Sequence, residues 1–473
     1  LDKKCVMIKF IDLFAGTGGI RLGFEQACKK FDLETECVFS SEIDKNACES
    51  YELNFGHNPF SDITKVDELP PFDFMLAGFP CQSFSYAGKR RGFGDTRGTL
   101  FFEVERLLSK YKPKGFLLEN VRGLTTHDEG RTFETIINIL KNLGYSVNYV
   151  LLNSSNFGVP QNRVRIYILG ILEEEIKTKL QSDVGAVDSH NFKIQNEQFS
   201  LFSEPKVIRV VKDILEKEFP VKYECSKDFV EKLKLVVGND LSKLHGYRLI
   251  DYRGGQAIHS WELGIKGVCT QQEIEFLNLL IGNRRKKTFG THQDGKSLTK
   301  EQIKTFYKGN DLDSILVSLV KKGYLSINQD KYNPVAGNMS FEVFKFLDPE
   351  SISITLTASD TNRLGVVQNG KARKLTPREC ARLQGFPDTY RLLDNDYAVY
   401  KQMGNAVAVP VIEAVITDLI ENNNIFSRPK ANDSKMHTLS GRTMPAFDQN
   451  LPKSIPCPAH QQKHEKQQKH NTC

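Results

Sequence analysis

The chain has 473 residues, 40% of them hydrophobic and 26% charged, a balance that excludes wholly disordered, collagen-like and coiled-coil classes. Its 64 Lys and Arg against 58 Asp and Glu leave a formal charge of +6, a mild surplus that permits a polyanionic partner without requiring one. No run approaches the roughly 18 consecutive apolar residues of a membrane helix, and no basic-then-apolar export signal opens the chain, so no membrane association is expected. The ten cysteines include no C-x-x-C pair. That spacing disfavours a zinc ribbon, is too sparse for a disulfide scaffold, and suits a reducing cytosol.

Residues 1–172 alternate short apolar runs with helical periodicity, the pattern of a parallel sheet covered by helices. In chain order, Val6–Phe14 reads as a strand broken at Ala15-Gly16-Thr17-Gly18-Gly19, and Ile20–Cys28 as a helix. Cys37–Ser41 is a short second strand, and Phe72–Ala77 is almost wholly apolar, as a central strand buried on both faces should be. Leu100–Lys110 is an amphipathic helix, Phe116–Leu118 a strand, Arg131–Leu143 a helix, and Tyr145–Leu152 and Arg163–Leu169 two more strands. Residues 173–350 lose this alternation and gain Lys and polar side chains. Within them Thr270–Leu280, Thr299–Tyr307 and Asp311–Lys322 read as helices ahead of a strand at Gly323–Ile327. Two readings of that group stay open, a winged-helix-like unit around 265–335 and an ordinary helical insertion. Ordered patterning returns in 351–422, where Thr376 and Pro377 open a helix ending near Leu383 and Val407–Leu419 forms another. Residues 423–473, rich in Lys, Gln, His, Asn and Pro, read as a disordered tail.

The chemistry-bearing residues cluster where these strands end. The turn after the first strand aims backbone N–H groups and a helix N-terminus at a ligand. Gly16 and Gly18 fit the first two positions of a dinucleotide fingerprint, but Arg21 stands where the third glycine belongs, which favours a ligand without a pyrophosphate. Glu42, ending the second strand, suits ribose hydroxyls; the alternative is the tight turn of any α/β fold. Cys81 follows the buried strand in Phe79-Pro80-Cys81-Gln82-Ser83, at the crevice where open α/β sheets hold ligands. It is either an attacking thiolate or a small apolar filler, and position alone leaves the two even. Glu119 ends the next strand after three apolar residues. Poor solvation there raises a carboxyl pKa and suits a proton donor, with a structural ion pair as the alternative. The two-residue period of Arg163-Val164-Arg165 puts both guanidinium groups on one face, to anchor an acid or phosphate or to be solvated.

Taken together, these segments resemble the DNA (cytosine-5)-methyltransferases of bacterial restriction–modification systems. The resemblance lies in Asp12–Gly19, Gly78–Gln82, Glu119-Asn120-Val121, Gln161-Asn162-Arg163-x-Arg165, Arg373–Pro387 and Gly404-Asn405-Ala406-Val407, separated motifs in family order over about 1–172 and 350–422. It implies an α/β fold: a Rossmann-like S-adenosylmethionine-dependent methyltransferase domain, mainly parallel sheet with helices on both faces, carrying a smaller inserted target-recognition domain. Residues 1–172 would form the first part of the catalytic domain, 173–350 the target-recognition domain, and 351–422 a return segment completing the catalytic domain.

The same resemblance implies S-adenosylmethionine as cofactor, S-adenosylhomocysteine as product, and no metal. Phe14 would stack on the adenine, Gly16 and Gly18 would admit the cofactor, and Glu42 would take the ribose hydroxyls. Asp62 and Ile63 would line the adenine pocket, with Pro80, Leu100, Asn405 and Ala406 completing it. Cys81 would attack C6 of a cytosine flipped from duplex DNA, and Glu119 would hold N3 and the exocyclic amine. Arg165 would assist at the base and Arg163 would help hold the site. Ser83, Ser85 and Arg97, in the basic glycine-rich stretch Ser83–Thr99, would close on DNA. In the insertion, Arg284, Arg285, Lys286 and Lys287 are candidates for phosphate contacts, and Thr355-Leu356 resembles a pair the family often carries. The implied setting is the cytoplasm of a bacterial cell, with a monomer acting on double-stranded DNA beside a cognate restriction endonuclease. The rivals are an RNA-directed relative, a non-catalytic DNA-binding regulator and a nicotinamide dehydrogenase. The long insertion counts against the first, intact Cys81, Glu119 and both arginines against the second, and Arg21 against the third.

Overall fold

The computed structural model describes residues 7–80, 100–183, 209–251, 257–291, 296–335 and 341–426. Its first half runs β1 (Met7–Leu13), α1 (Gly19–Lys30), β2 (Glu34–Ser41), α2 (Lys45–Phe55), β3 (Phe74–Ala77), α3 (Leu100–Tyr111), β4 (Gly115–Val121), α4 (Arg131–Asn142), β5 (Tyr145–Asn153) and β6 (Val164–Leu172). The strands form one sheet in the order β2-β1-β3-β4-β6-β5. β2, β1, β3 and β4 are parallel, and β6 runs antiparallel to both its neighbours. From β1 the chain builds outward first through β2 and then, on the other side, through β3, so the carboxyl ends of β1 and β3 form a topological switch point. The register sets Leu13 beside Ala77 and Ala77 beside Leu118, which opens the turns after β1, β3 and β4 onto one edge. α2 has no strong periodicity but is well capped. The Asp44 carboxylate accepts from the N–H groups of Asn46 and Ala47, and Gly56 closes the helix at φ 78°.

The second half adds α5 (Lys227–Val237), β7 (Arg248–Leu249), β8 (Ala257–Ile258), α6 (Gln271–Asn283), β9 (Leu298–Thr299), α7 (Lys300–Lys304), α8 (Leu312–Lys321), β10 (Leu325–Asn328), β11 (Lys331–Pro334), β12 (Lys345–Phe346), β13 (Leu364–Gln368), β14 (Lys371–Lys374), α9 (Pro377–Leu383), α10 (Asp396–Asn405) and α11 (Val409–Asn422). Helices α6 and α8 and the β10-β11-β9 sheet share a separate core that includes Phe276, Leu280, Leu316, Leu319 and Tyr324. Thr270 with Glu273 and Thr299 with Gln302 form capping boxes that start α6 and α7. The helix expected over Thr299–Tyr307 is cut to five residues, Lys300–Lys304.

The expected boundaries shift in three places. Residues 173–183 stay with the first sheet rather than opening the insertion: Ile176 and Leu180 pack on its core, and Thr178 Oγ1 donates to Asp418 at 2.5 Å. The return segment is divided. β13 and β14 join β12, β7 and β8 in a five-stranded sheet of order β14-β13-β12-β7-β8, so 364–374 extends the insertion's sheet, while Ser353 bridges to Gln161 and the helices from α9 onward complete the first domain. Finally, the ordered chain runs past 423. Ile425 and Phe426 are buried, and the Phe426 ring lies 5.5 Å from that of Phe74. The expected disordered tail begins no earlier than residue 427, and 427–473 lies outside the described residues.

Asp396–Asn422 is, by length and composition, apolar enough to cross a membrane, with a mean hydropathy of 1.6 in its most apolar window. In the fold it is two helices, α10 and α11, and 67% of that window is buried. α11 packs against α1 so closely that a Cβ on Gly23 would sit 2.6 Å from Ile412 Cβ and 2.8 Å from the Val409 carbonyl oxygen. The apolar run is explained by that core position.

Candidate active site

The turn after β1 supplies one wall of the crevice. Phe14 at φ 54° and Gly16 at φ 53° are both left-handed, so the chain doubles back and the Gly16 N–H reaches Glu42 Oε2 at 2.9 Å. Glu42 Oε1 accepts from the N–H groups of Ile43 and Asp44, each at 2.8 Å, which fixes the acid at the carboxyl end of β2. A Cβ on Gly16 would meet nothing within 4 Å, whereas one on Gly18 would strike the Phe55 ring at 2.1 Å. The first glycine therefore faces open space and the second permits close packing.

Arg21, at the third glycine position, is turned into the fold. Its guanidinium lies 4.3 Å from the centre of the Phe55 ring, with Nε bonded to Glu25 at 2.7 Å and Nη1 to Tyr51 at 3.1 Å. The Tyr51 hydroxyl donates in turn to Asp12 at 3.3 Å, and burial pushes Asp12 up to about 8.

Asp62 caps a 3-10 turn through Thr64 N–H at 3.1 Å. Ile63, expected in the adenine pocket, has its side chain in the core, which leaves only its backbone for the crevice. Pro80 is exposed, Leu100 half-buried at the start of α3, Asn405 exposed and Ala406 half-buried. A Cβ on Gly19 would lie 3.0 Å from Val407, so the break between α10 and α11 abuts the glycine turn. Two exposed side chains were missed by sequence reasoning: Ile43 at 70% and Phe60 at 57%. Phe60 is brought beside Glu42 by a parallel bridge. Only an exposed apolar residue immediately after the acid hinted at them. A carboxylate fixed beside a glycine turn, flanked by exposed apolar groups, suits a nucleoside with a free diol.

The second wall is carried by β4 and β6. Val121 pairs with Arg165 and Glu119 with Tyr167, so Glu119 and Arg165 fall on the same face. Arg165 Nε sits 3.3 Å from Glu119 Oε1, with side chains 14% and 12% exposed. Burial raises the Glu119 carboxyl above its ordinary range, against the opposing pull of Arg165 and Arg163. Asn120 Nδ2 donates to the Phe79 carbonyl at 2.8 Å, tying the chain that enters Cys81 to the strand bearing Glu119. A Cβ on Gly78 would lie 3.8 Å from Glu119 Oε2. Cys81, Ser83, Ser85 and Arg97 lie outside the described residues, which end at Pro80 and resume at Leu100.

Arg163, expected beside Arg165 to help hold the site, is buried, donating through Nη1 to the Leu356 carbonyl at 2.9 Å and through Nη2 to that of Ala406 at 2.6 Å. Burial and the neighbouring Arg165 lower it to about 10. It acts as a strut that holds the return segment on β6. Gln161 works beside it, donating to the Leu383 carbonyl at 2.9 Å and accepting from Leu356 N–H at 2.9 Å. Thr355 Oγ1 donates to the Asn162 carbonyl at 2.5 Å, so Thr355-Leu356 docks directly on Gln161–Arg163. A Cβ on Gly404 would lie 2.4 Å from the backbone of Thr357 and Ala358, which is why that position is glycine. Beyond Arg165 a cleft of about 400 Å³ opens, lined by Arg122, Asn162, Arg248 and Thr355 among others.

In the insertion, Arg284, expected at a DNA phosphate, is a correction. It is buried and donates to Asn333 Oδ1 at 3.1 Å, pinning the end of α6 to β11, because the last turn of α6 faces the sheet. Arg285, Lys286 and Lys287 are exposed. Lys296 Nζ donates to the carbonyls of Lys286 and Gly290 at 2.9 and 2.6 Å, which holds their turn in shape.

Residues 8–421 match the family described as C-5 cytosine-specific DNA methylase. The chain is 67% identical over 416 residues to the Type II methyltransferase M.BanI of Aneurinibacillus aneurinilyticus, covering 88% of this chain and 96% of that one. It is 60% identical over 421 residues to M.HgiCI of Herpetosiphon aurantiacus, covering 89% and 100%. Against M.NlaIV of Neisseria lactamica it is 44% identical over 445 residues, covering 87% and 99%.

Proposed function

The chain belongs to the C-5 cytosine-specific DNA methylase family, and on that premise we propose how its residues carry out the methylation of cytosine C5 in DNA. S-adenosylmethionine supplies the methyl group when bound. For its adenosine, Glu42 would accept the ribose hydroxyls, Phe14, Ile43 and Phe60 would flank the base, and Asp62 with the Ile63 backbone would meet its polar edge. Gly16, Gly18, Pro80, Leu100, Asn405 and Ala406 would complete the enclosure.

Cytosine C5 is too weak a nucleophile to take a methyl group unaided. The Cys81 thiolate forms a bond to C6 and pushes electron density to C5, while Glu119 donates to N3 and holds the amine edge. Arg165 keeps Glu119 aimed. After C5 takes the methyl group, a base takes up the C5 proton as Cys81 departs as the thiolate, and N3 returns its proton to Glu119, which restores the ring. A cysteine cannot reach C6 inside a stacked duplex, so the base must be flipped out, at a cost of a few kcal/mol. Ser83, Ser85 and Arg97 are proposed to close on the DNA, and Arg285, Lys286 and Lys287 to meet its phosphates. The target-recognition role is assigned to the insertion between residue 183 and β12, with the α6–β11 unit, three helices and a small antiparallel sheet, as its winged-helix-like part. The Type II relatives support a restriction–modification setting in which the host's own sites are modified.

The observation that carries the reading is the poorly solvated Glu119–Arg165 pair, tied through Asn120 to the segment that leads into Cys81. Incubation with duplex DNA containing 5-fluorocytosine tests it. A covalent DNA adduct at Cys81, found by peptide mass spectrometry and absent from Cys81→Ala, is expected. Full methyl transfer by Cys81→Ala would overturn the mechanism.

A further inference from the structure

The cleft beyond Arg165 brings together guanidinium groups from three separate elements: Arg122 just after β4, Arg165 on β6 and Arg248 on β7. Arg165 has Glu119 as its ion-pair partner. Among the described residues, neither Arg122 nor Arg248 has a carboxylate partner, and Arg248 is only partly exposed. Arg248 is not free to swing with a loop. β7 is paired on one side with Lys345 of β12 and on the other with Ala257 of β8. The ammonium of the adjacent Lys345 is taken up by the Gly246 carbonyl. Burial and Arg248 together lower the Lys345 pKa.

Three guanidinium groups lining one cleft, with a single carboxylate partner among them in the described residues, favour an anion there. The chemistry of a planar, always-charged fork matches the paired oxygens of a phosphate diester. The position matters as much as the charge. Arg165, the ion-pair partner of Glu119, itself lines the cleft, so a nucleotide whose base edge meets Glu119 would bring its backbone phosphates close to these arginines. Sequence reading passed over Arg248 because it stands alone between Tyr247 and Leu249, while the denser run at 284–287 drew attention to the insertion's surface.

We propose that Arg248, together with Arg122 in the same cleft, clamps a backbone phosphate of the DNA strand that carries the target cytosine. This inference rests on the reading of the site as a DNA methyltransferase centre. Arg248 is thereby a positioning residue: it touches the backbone and not the reacting base.

The test uses the full chain and fragments of a plasmid free of cytosine methylation, with binding measured across a range of salt concentrations. Loss of one phosphate contact flattens the log–log salt dependence by about one unit. Arg248→Gln is therefore expected to lower the slope by about 1 and to weaken DNA binding about 10- to 100-fold. KM for DNA should rise by a similar factor, with kcat within a few-fold of the parent and cofactor binding unchanged. Arg248→Lys should restore most of the slope, since a point charge satisfies a phosphate but not a bidentate base contact. Arg122→Gln, on an exposed residue, gives the same readout even where Arg248→Gln fails to fold. An unchanged slope and affinity in both Gln variants would overturn the clamp. So would an unchanged slope with a shifted methylation site on bisulfite sequencing, which would make Arg248 a base reader. If the wild-type protein methylates the plasmid and the variants behave as wild type, only the clamp falls. If wild type neither binds nor methylates duplex DNA, the reading beneath it falls as well.

Discussion

The joint between α9 and the insertion's sheet and the cleft beside β6 use the same residue types to opposite ends. At the joint, Arg373 and Glu379 are wholly buried and bound by two contacts of 2.8 and 2.7 Å. The Phe219 ring lies 4.3 Å from the Arg373 guanidinium, Gln368 accepts from its Nε at 2.9 Å, and Glu379 also caps α9 through Thr376 N–H at 2.8 Å. Every hydrogen-bonding direction of the acid is committed. In the cleft, Glu119 has, among the described residues, one contact, of 3.3 Å with Arg165, and burial pushes its carboxyl pKa upward. A saturated buried pair holds structure together; an undersatisfied one is left for a ligand.

That contrast can be broken from either side. The largest effect is expected at Glu119. Glu119→Gln keeps the shape but cannot pass a proton to N3, and kcat should fall by about 10²- to 10⁴-fold in single-turnover methyl transfer with folding intact. Because the folded pKa of Glu119 is raised, the protonated acid is favoured at low pH and lost as pH rises through that value. The parent's rate, and the small stability contribution of the protonated acid, should therefore decline on the alkaline side, and the residual rate of Glu119→Gln should lack that limb. A pH-independent parent rate would count against a proton-donating Glu119.

At the joint, Arg373→Met leaves Glu379 buried without its partner and should destabilise the protein by about 3–5 kcal/mol in denaturant unfolding. Arg373→Met combined with Glu379→Leu should recover part of that loss, which would show that the pair specifies the joint more than it stabilises it. The smallest effect is expected in the insertion, where Thr270→Ala removes the cap of α6 and should cost about 1 kcal/mol. Amide exchange should report that loss in α6 and α8 while cofactor binding stays unchanged. A matching loss of protection in β1 or β3 would mean that the two regions unfold as one.

The first sheet was legible because its strands are bounded by chemistry that acts locally. Phe74–Ala77 is wholly buried and reads as a central strand from composition alone, and Gly16 and Gly18 sit at left-handed turn positions that glycine favours. The insertion was less legible for a matching reason. Its strands β7, β8, β9 and β12 are two residues long, too short for any period to show. α10 has no clear apolar stripe, although Asn395, which accepts from Ala398 N–H at 3.2 Å, was an available start signal.

By itself the sequence determined the family, the mainly parallel sheet and the residues that end its strands, because strand period, turn glycines and motif order are properties of neighbours along the chain. Tertiary structure alone decided that Arg163 is a strut and Arg284 a pin. It also divided the return segment between the insertion's sheet and the first domain and brought Arg248 and Arg122 to one cleft. Those outcomes depend on which distant carbonyl, carboxylate or open cleft a guanidinium meets once the chain has closed on itself, and no local pattern encodes that partner.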